Sequence, residues 1–316
     1  MSMGSQENRR RFAEAAREER PDLALLCLLI GVEAALHPEG AGGARKGVRG
    51  DAQGSTHGDV PGDSRDTGGR PADAAERSVD RAQVELDRLT GLLPYEKGRT
   101  PAQWAAVLEE LLGAQHGFHG AQADYQRLES SLLQCVLERR RGLPILLSVV
   151  WTEVARRAGA PVYGVALPGH YVVGFGDPAG EHVLADPFAG GRLLATDELD
   201  VLVSGATGRH TRVSGAQLQP ASPLETVLRV LNNIRAWAVA RPERSAVQLW
   251  ALELSLLLPH HPARLRHERA RRLVERGDFT GGAREMEAYA EVISAMEPSA
   301  ADAVRKEARA ARARLN

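Results

Sequence analysis

His170 and Asp186 are the pair in this chain whose residue types and spacing could do chemistry. They sit in two short blocks, Pro168-Gly169-His170 and Ala185-Asp186-Pro187, about 16 residues apart. An imidazole steered by a carboxylate works as a general base, because the carboxylate fixes the ring's tautomer and orientation. Such a base serves a nucleophile, and a cysteine attacks only as thiolate, within hydrogen-bond reach of the base. The chain has two cysteines, Cys27 and Cys135, both flanked by leucine or valine in helix-like stretches. That is the setting of small buried hydrophobes, neither a disulfide framework nor a reactive thiol.

Other polar groups compete for attention. The run Arg139-Arg140-Arg141 cannot face one way: one or two guanidinium groups could turn inward to hold a carboxylate or other anion, or the run could complement a helix C-terminus. His116 and His119 have an H-x-x-H spacing, but glycines flank them and no third ligand follows, so no metal and no cofactor is expected. Ser148 falls inside a helix, where a hydroxyl bonds a carbonyl one turn back, and Ser130 and Ser131 precede a helix as caps.

Charge narrows the partners. Lys+Arg 40 against Asp+Glu 41 gives a net charge of -1, with no global field to attract nucleic acid or an anionic membrane. The basic run from Arg305 to Arg314 carries Glu307 and no aromatic residue, the pattern of a solvated helix face. The polar N-terminus and the lack of an apolar run of membrane length point to a soluble cytoplasmic protein.

The elements that must position His170 and Asp186 are legible in the periodicity. Residues 9 to 36 read as two helices, the second apolar nearly all round from Leu23 to Ile30 and hence buried. From Pro38 to about Arg77 the chain is rich in Gly, Asp, Arg and Ser with almost no large apolar residue, a disordered surface insertion without calcium-loop spacing. Helix resumes at Asp80 with a stripe of Val84, Leu86, Leu89, Leu92 and Leu93. Another helix runs from Ala102 to Leu112, with Thr100 as cap and Pro101 in its first turn. A short helix is expected within Tyr125 to Leu137, and a central one from Pro144 to Ala158, stopped by Gly159.

Beyond it the period changes to two. Val162 to Leu167, Tyr171 to Phe175 and His182 to Ala185 read as three short strands. A simple hairpin between the last two sets His170 opposite Pro187 and diagonal to Asp186, and slippage by a residue keeps the two side chains close. Five helices follow from Leu224 to the C-terminus. Trp151, Trp237 and Trp250 fall on apolar helical faces as packing residues. Ala270, Gly277-Asp278-Phe279 and Ala283 carry the small-residue and turn positions of a tetratricopeptide-like hairpin, the second alanine one place late.

Leu137-Glu138-Arg139-Arg140-Arg141-Gly142-Leu143-Pro144-Ile145, Ala155-Arg156-Arg157-Ala158-Gly159, Gly164-Val165-Ala166-Leu167-Pro168-Gly169-His170 and Ala185-Asp186-Pro187-Phe188-Ala189-Gly190-Gly191 together resemble the SirB1 family, as do Gly117-Phe118-His119-Gly120 and Tyr125. That family joins a transglutaminase-like domain to tetratricopeptide-like helices. The resemblance implies an α+β fold, a papain-like core of helices on a small antiparallel sheet followed by an all-helical region. The expected divisions are 1–37 (helices of the core), 38–78 (insertion), 79–215 (core) and 216–316 (helical region).

Active transglutaminase-like proteins resemble Arg-Gly-x-Cys at the head of a helix, with Gly-x-Pro about 15 residues later, then His, then Asp-Pro. Here Gly159-Ala160-Pro161 sets the register, and Arg141-Gly142-Leu143-Pro144 occupies the nucleophile motif. A proline suits a first helical turn but cannot attack. The expectation is a non-catalytic domain in which His170 and Asp186 are a residual pair, Tyr125, Arg141, Gly142, Pro144, Gly169 and His170 line a ligand cleft, and the helical region offers a groove to a protein or peptide. The alternative is a hydrolase or acyl-transfer enzyme using His170 and Asp186 with water or with Cys135.

Overall fold

The computed structural model describes residues 2–37, 71–209 and 212–314. Two capped helices open it: α1 (Met3–Ala15), whose cap Ser2 accepts from the Ser5 amide, and α2 (Leu23–Leu36), whose cap Asp22 accepts from the Leu25 amide. The unbroken apolar run of α2 is buried on every side, from Leu26 through Ile30. One buried charge follows it in the same helix. Glu33 is fully buried and accepts from Ser5 Oγ (2.8 Å), Asn8 Nδ2 (2.9 Å) and Arg9 Nε (2.7 Å), with His37 at 3.1 Å. A buried carboxylate persists only with such partners.

Helix α3 (Pro71–Gly91) starts ahead of the expected Asp80, so the end of the expected insertion is helical; residues 38–70 lie outside the described residues. Its buried stripe is Ala75, Val79, Ala82, Leu86 and Leu89, while Val84 and Leu92 face solvent. Helix α4 (Pro101–Leu108) has the capping box between Thr100 and Gln103, then loosens into a π-helical segment, Glu109–Gln115. There Gly113 lies so close to the Gly190 carbonyl that a Cβ would sit 1.9 Å from its oxygen.

Helix α5 (Leu133–Arg139) ends at Arg140 in the left-handed conformation (φ 58). Helix α6 (Pro144–Arg157) is the central one, with Leu147, Val150, Trp151 and Val154 fully buried. Gly159 (φ 84) closes it.

The sheet has four strands in antiparallel order: β1 (Val162–Val165), β2 (Val172–Gly176), β3 (His182–Asp186) and β4 (Arg192–Leu194). The three expected strands are present. β4 and the following α7 (Thr196–Thr207) were not foreseen, since β4 is three residues long with two exposed. Gly176 pairs with His182, and Asp177 N–H donates to the Glu181 carbonyl at 3.0 Å. The register is therefore displaced by one residue from the simple hairpin and sets His170 level with Phe188 instead of Pro187.

Helices α8 (Pro223–Val239), α9 (Ser245–Leu257), α10 (Arg264–Glu275), α11 (Phe279–Ile293) and α12 (Pro298–Ala313) complete the chain. α8 and α9 share the main core through Val227, Leu231, Trp250 and Leu254, whereas α10 to α12 have a small-residue core of their own around Ala270, Ala283, Ala290 and Ala308. Ion pairs join the regions: Arg9 reaches from Glu33 to Glu253 (2.7 Å), and Arg269 links Glu253 to Glu285. Among the described residues, no helix is long and apolar enough to cross a membrane.

Candidate functional site

His170 follows the turn Pro168-Gly169, where Gly169 takes φ 71 and a Cβ would press on Ala206 at 2.7 Å. The role of Gly169 is therefore conformational. The His170 carbonyl accepts from Arg229 Nη2 at 2.7 Å, and the same guanidinium holds the Leu167 carbonyl and lies over the Tyr171 ring. These contacts anchor the backbone and leave the imidazole to be set by Asp186. Its Nε2 lies 3.0 Å from Asp186 Oδ1, which also accepts the Phe188 amide at 2.9 Å. Both side chains are buried.

With Nε2–H given to Asp186, Nδ1 carries the lone pair. It has no hydrogen-bond partner among the described residues. The ring is walled by Phe188, edge-on at 5.9 Å, and Phe188 meets Tyr125 at 6.0 Å. Burial, with the Asp186 charge in support, pushes the Tyr125 hydroxyl's pKa up and keeps it a neutral donor. Tyr125 and His170 are linked through Phe188, a residue the sequence quotes in its Asp-Pro block without giving it a role.

Pro144 is buried at the first position of α6. Ser148, one turn on and on the same face, donates from Oγ to the Tyr171 carbonyl at 3.3 Å instead of to its own helix, so the face that begins at Pro144 is the one turned toward the residue that follows His170. The helix head is poor in free donors. Pro144 has no N–H, and the amides of Leu146 and Leu147 both go to the Leu143 carbonyl at 3.1 Å.

The arginines do not reach the cleft as anion binders. Arg141 gives Nε and Nη2 to Asp124 Oδ2 at 3.2 and 2.9 Å, and Arg139 reaches Oδ1 at 3.4 Å. Arg140 turns away to Glu85 and stacks on Phe118 at 4.6 Å. Asp124, buried and missed in the sequence, has its carboxyl held below the ordinary value: burial alone would raise it, but Arg141 and the Ala121 amide outweigh that. Ser130 belongs to the same cluster, accepting from Arg139 and donating to Asp124, and caps no helix. Gly142 is packed against Val136, where a Cβ would sit at 2.6 Å. So Arg141 and Gly142 shape the turn into α6.

Cys135 is half-buried, and burial, with Glu138 and Glu129 in support, pushes its thiol up to about 11. No group of three metal-ligating side chains occurs among the described residues. Trp237 is only half-buried and donates to the Gln126 carbonyl at 3.0 Å, tying α8 to the Tyr125 turn.

The family model of the transglutaminase-like superfamily matches residues 73–232, from α3 into α8. The chain belongs to that superfamily. A tetratricopeptide repeat model matches residues 234–316. A UPF0162 protein of Xylella fastidiosa is 32% identical over 193 residues, covering 60% of this chain and 67% of that protein. UPF0162 protein PA3419 of Pseudomonas aeruginosa is 38% identical over 106 residues (34% and 38% covered), and F-box only protein 21 of Mus musculus is 26% identical over 152 residues (46% and 23%). The transglutaminase-like match spans His170 just ahead of β2, Asp186 at the end of β3 and the helix headed by Pro144, whereas α1 and α2 precede both matched regions.

Proposed function

We propose that this transglutaminase-like chain is a non-catalytic binding protein of SirB1 type. Its His170 site recognises a ligand or peptide, and its tetratricopeptide region engages a protein partner in a cytoplasmic setting. The observation that carries the reading is the combination of an intact His170–Asp186 pair, an unpartnered Nδ1, and a helix head at which Pro144 offers neither a nucleophile nor an N–H. Acyl transfer through a covalent intermediate needs a nucleophile and donors for the oxyanion. This helix head supplies little of either.

What remains suits recognition. Nδ1 accepts, the neutral Tyr125 hydroxyl donates, and the rings of Tyr125 and Phe188 give an apolar wall. The unpaired cysteines Cys27 and Cys135 fit a reducing compartment.

One observation favours a second reading. The His170–Asp186 geometry is that of a base held by its orienter, and the free Nδ1 could deprotonate a water for hydrolysis. Assaying the purified chain against amide, ester and thioester peptides, with and without an amine acceptor, separates the two. Under the binding reading there is no turnover above background, and His170→Ala changes only peptide binding followed by titration. Turnover that His170→Ala abolishes overturns the binding reading and supports hydrolysis.

A further inference from the structure

The 3₁₀ turn that carries Tyr125, Gln122–Gln126, has little of its own to hold it in place. Gln122, Ala123, Tyr125 and Gln126 are all exposed, and so short a helix has poor hydrogen-bond geometry. Two anchors flank the tyrosine. On one side Asp124 is buried and paired with Arg139 and Arg141. On the other, the Gln126 carbonyl accepts from both Trp237 Nε1 (3.0 Å) and Arg241 Nη2 (3.3 Å), and Arg241 Nη2 also donates to Gln126 Oε1 at 2.8 Å. The two donors brace each other: the Arg241 guanidinium lies over the Trp237 ring at 4.5 Å and gives Nη1 to the Trp237 carbonyl at 2.8 Å.

The same helix, α8, holds the backbone at the imidazole, because Arg229 gathers the Leu167 and His170 carbonyls with one nitrogen. This guanidinium is half-buried and has no carboxylate partner among the described residues. Burying a cation without a counter-charge is costly, so the two carbonyls and the Tyr171 ring are what keep it there. α8 therefore grips the chain at both rings that meet Phe188, His170 at 5.9 Å and Tyr125 at 6.0 Å. The grips come from different parts of the chain. Arg229 lies within the transglutaminase-like match, and Trp237 and Arg241 lie within the tetratricopeptide match.

We propose that α8 sets the spacing of the His170 site, with Trp237 and Arg241 as positioning residues that keep Tyr125 against Phe188 and so keep the imidazole walled. The helical region then governs access to the site directly, beyond offering a groove to a partner. The proposal rests on the reading of the His170 site as the ligand site. Its test follows the imidazole itself, so a site without a ligand and a helix without a positioning role fail separately.

The test is carbethoxylation of the full chain by diethyl pyrocarbonate, which acylates the free nitrogen of a neutral imidazole, with each histidine followed by peptide mass mapping. Trp237→Phe keeps a ring and removes its donor, and Arg241→Met keeps the stem and removes its donors. Each should speed labelling of His170 and shift its ring-proton resonances, and the two together should speed it about tenfold, the worth of two lost hydrogen bonds. His267, stacked on Tyr289 in the α10–α12 region, is the internal reference and should keep its rate. Val239→Ala, at an exposed position of the same helix, should leave His170 at the wild-type rate. The proposal is overturned if the double variant labels His170 no faster than wild type, if Val239→Ala speeds it equally, or if His267 speeds up in step, the mark of general loosening.

Discussion

Ser148 Oγ donates to the Tyr171 carbonyl at 3.3 Å, fastening the helix that begins at Pro144 to the residue that follows His170. A mid-helix serine ordinarily turns back on its own helix. Here it ties the face of α6 that includes Pro144 to the segment carrying His170.

Glu33 sets an acid limit on stability. Burial alone would raise its pKa, but His37, Arg9 and Asn8 hold it at about 2 instead of 4.5. A carboxylate depressed in the folded state contributes stability above its unfolded pKa and loses it as pH falls through the folded one. Thermal midpoints of the wild type should therefore drop between pH 4.5 and about 2, while Glu33→Gln starts lower at neutral pH and varies less across that window.

Asp124→Asn should cost about 2 kcal/mol in urea unfolding, less than the about 3–5 of a fully buried pair, because Arg139 and Arg141 remain 29% and 33% exposed. The depressed carboxyl gives the same sign as Glu33, full benefit above the unfolded pKa and loss on acidification. An unchanged midpoint would show that the arginine cluster does not hold the turn into α6.

The helices were legible because apolar residues recur at helical spacing and prolines and glycines mark their ends, as Pro101, Pro144 and Gly159 do. Those signals are local. The destinations of the arginines are not: Arg141 finds Asp124 17 residues away and Arg140 finds Glu85 55 away, which no spacing rule within the run encodes. The hairpin register missed by one because the loop geometry at Gly176 decides it, yet His170 and Asp186 still met, since both flank the paired strands. β4 escaped because three residues cannot display a period.

Gly120→Ala should push Phe188 off the imidazole, since a Cβ there would lie 1.9 Å from the ring. Overpacking of this kind costs about 1–3 kcal/mol. Chemical unfolding together with the ring-proton resonances of His170 reads both effects. Unmoved resonances would mean that Phe188 does not wall the site.

Cys135 should be a sluggish thiol. With its pKa pushed to about 11 by burial first, then by Glu138 and Glu129, alkylation at neutral pH should run about a hundredfold slower than for an unperturbed thiol. The rate should rise into the alkaline range, and Cys135→Ser should identify the signal. Rapid labelling at neutral pH would revive Cys135 as a nucleophile.

The most direct measurement is the alkylation rate of Pro144→Cys against pH, followed by mass spectrometry. A thiol at the first turn of α6 gains the helix dipole and regains the N–H that proline lacks, on the helix face that Ser148 ties to the residue after His170. It should react at mildly acidic pH, far faster than Cys135, and slow about tenfold or more when His170→Ala is added. A thiol no faster than Cys135, or indifferent to His170, would contradict the view that the chain keeps a base and its orienter facing a vacated nucleophile position.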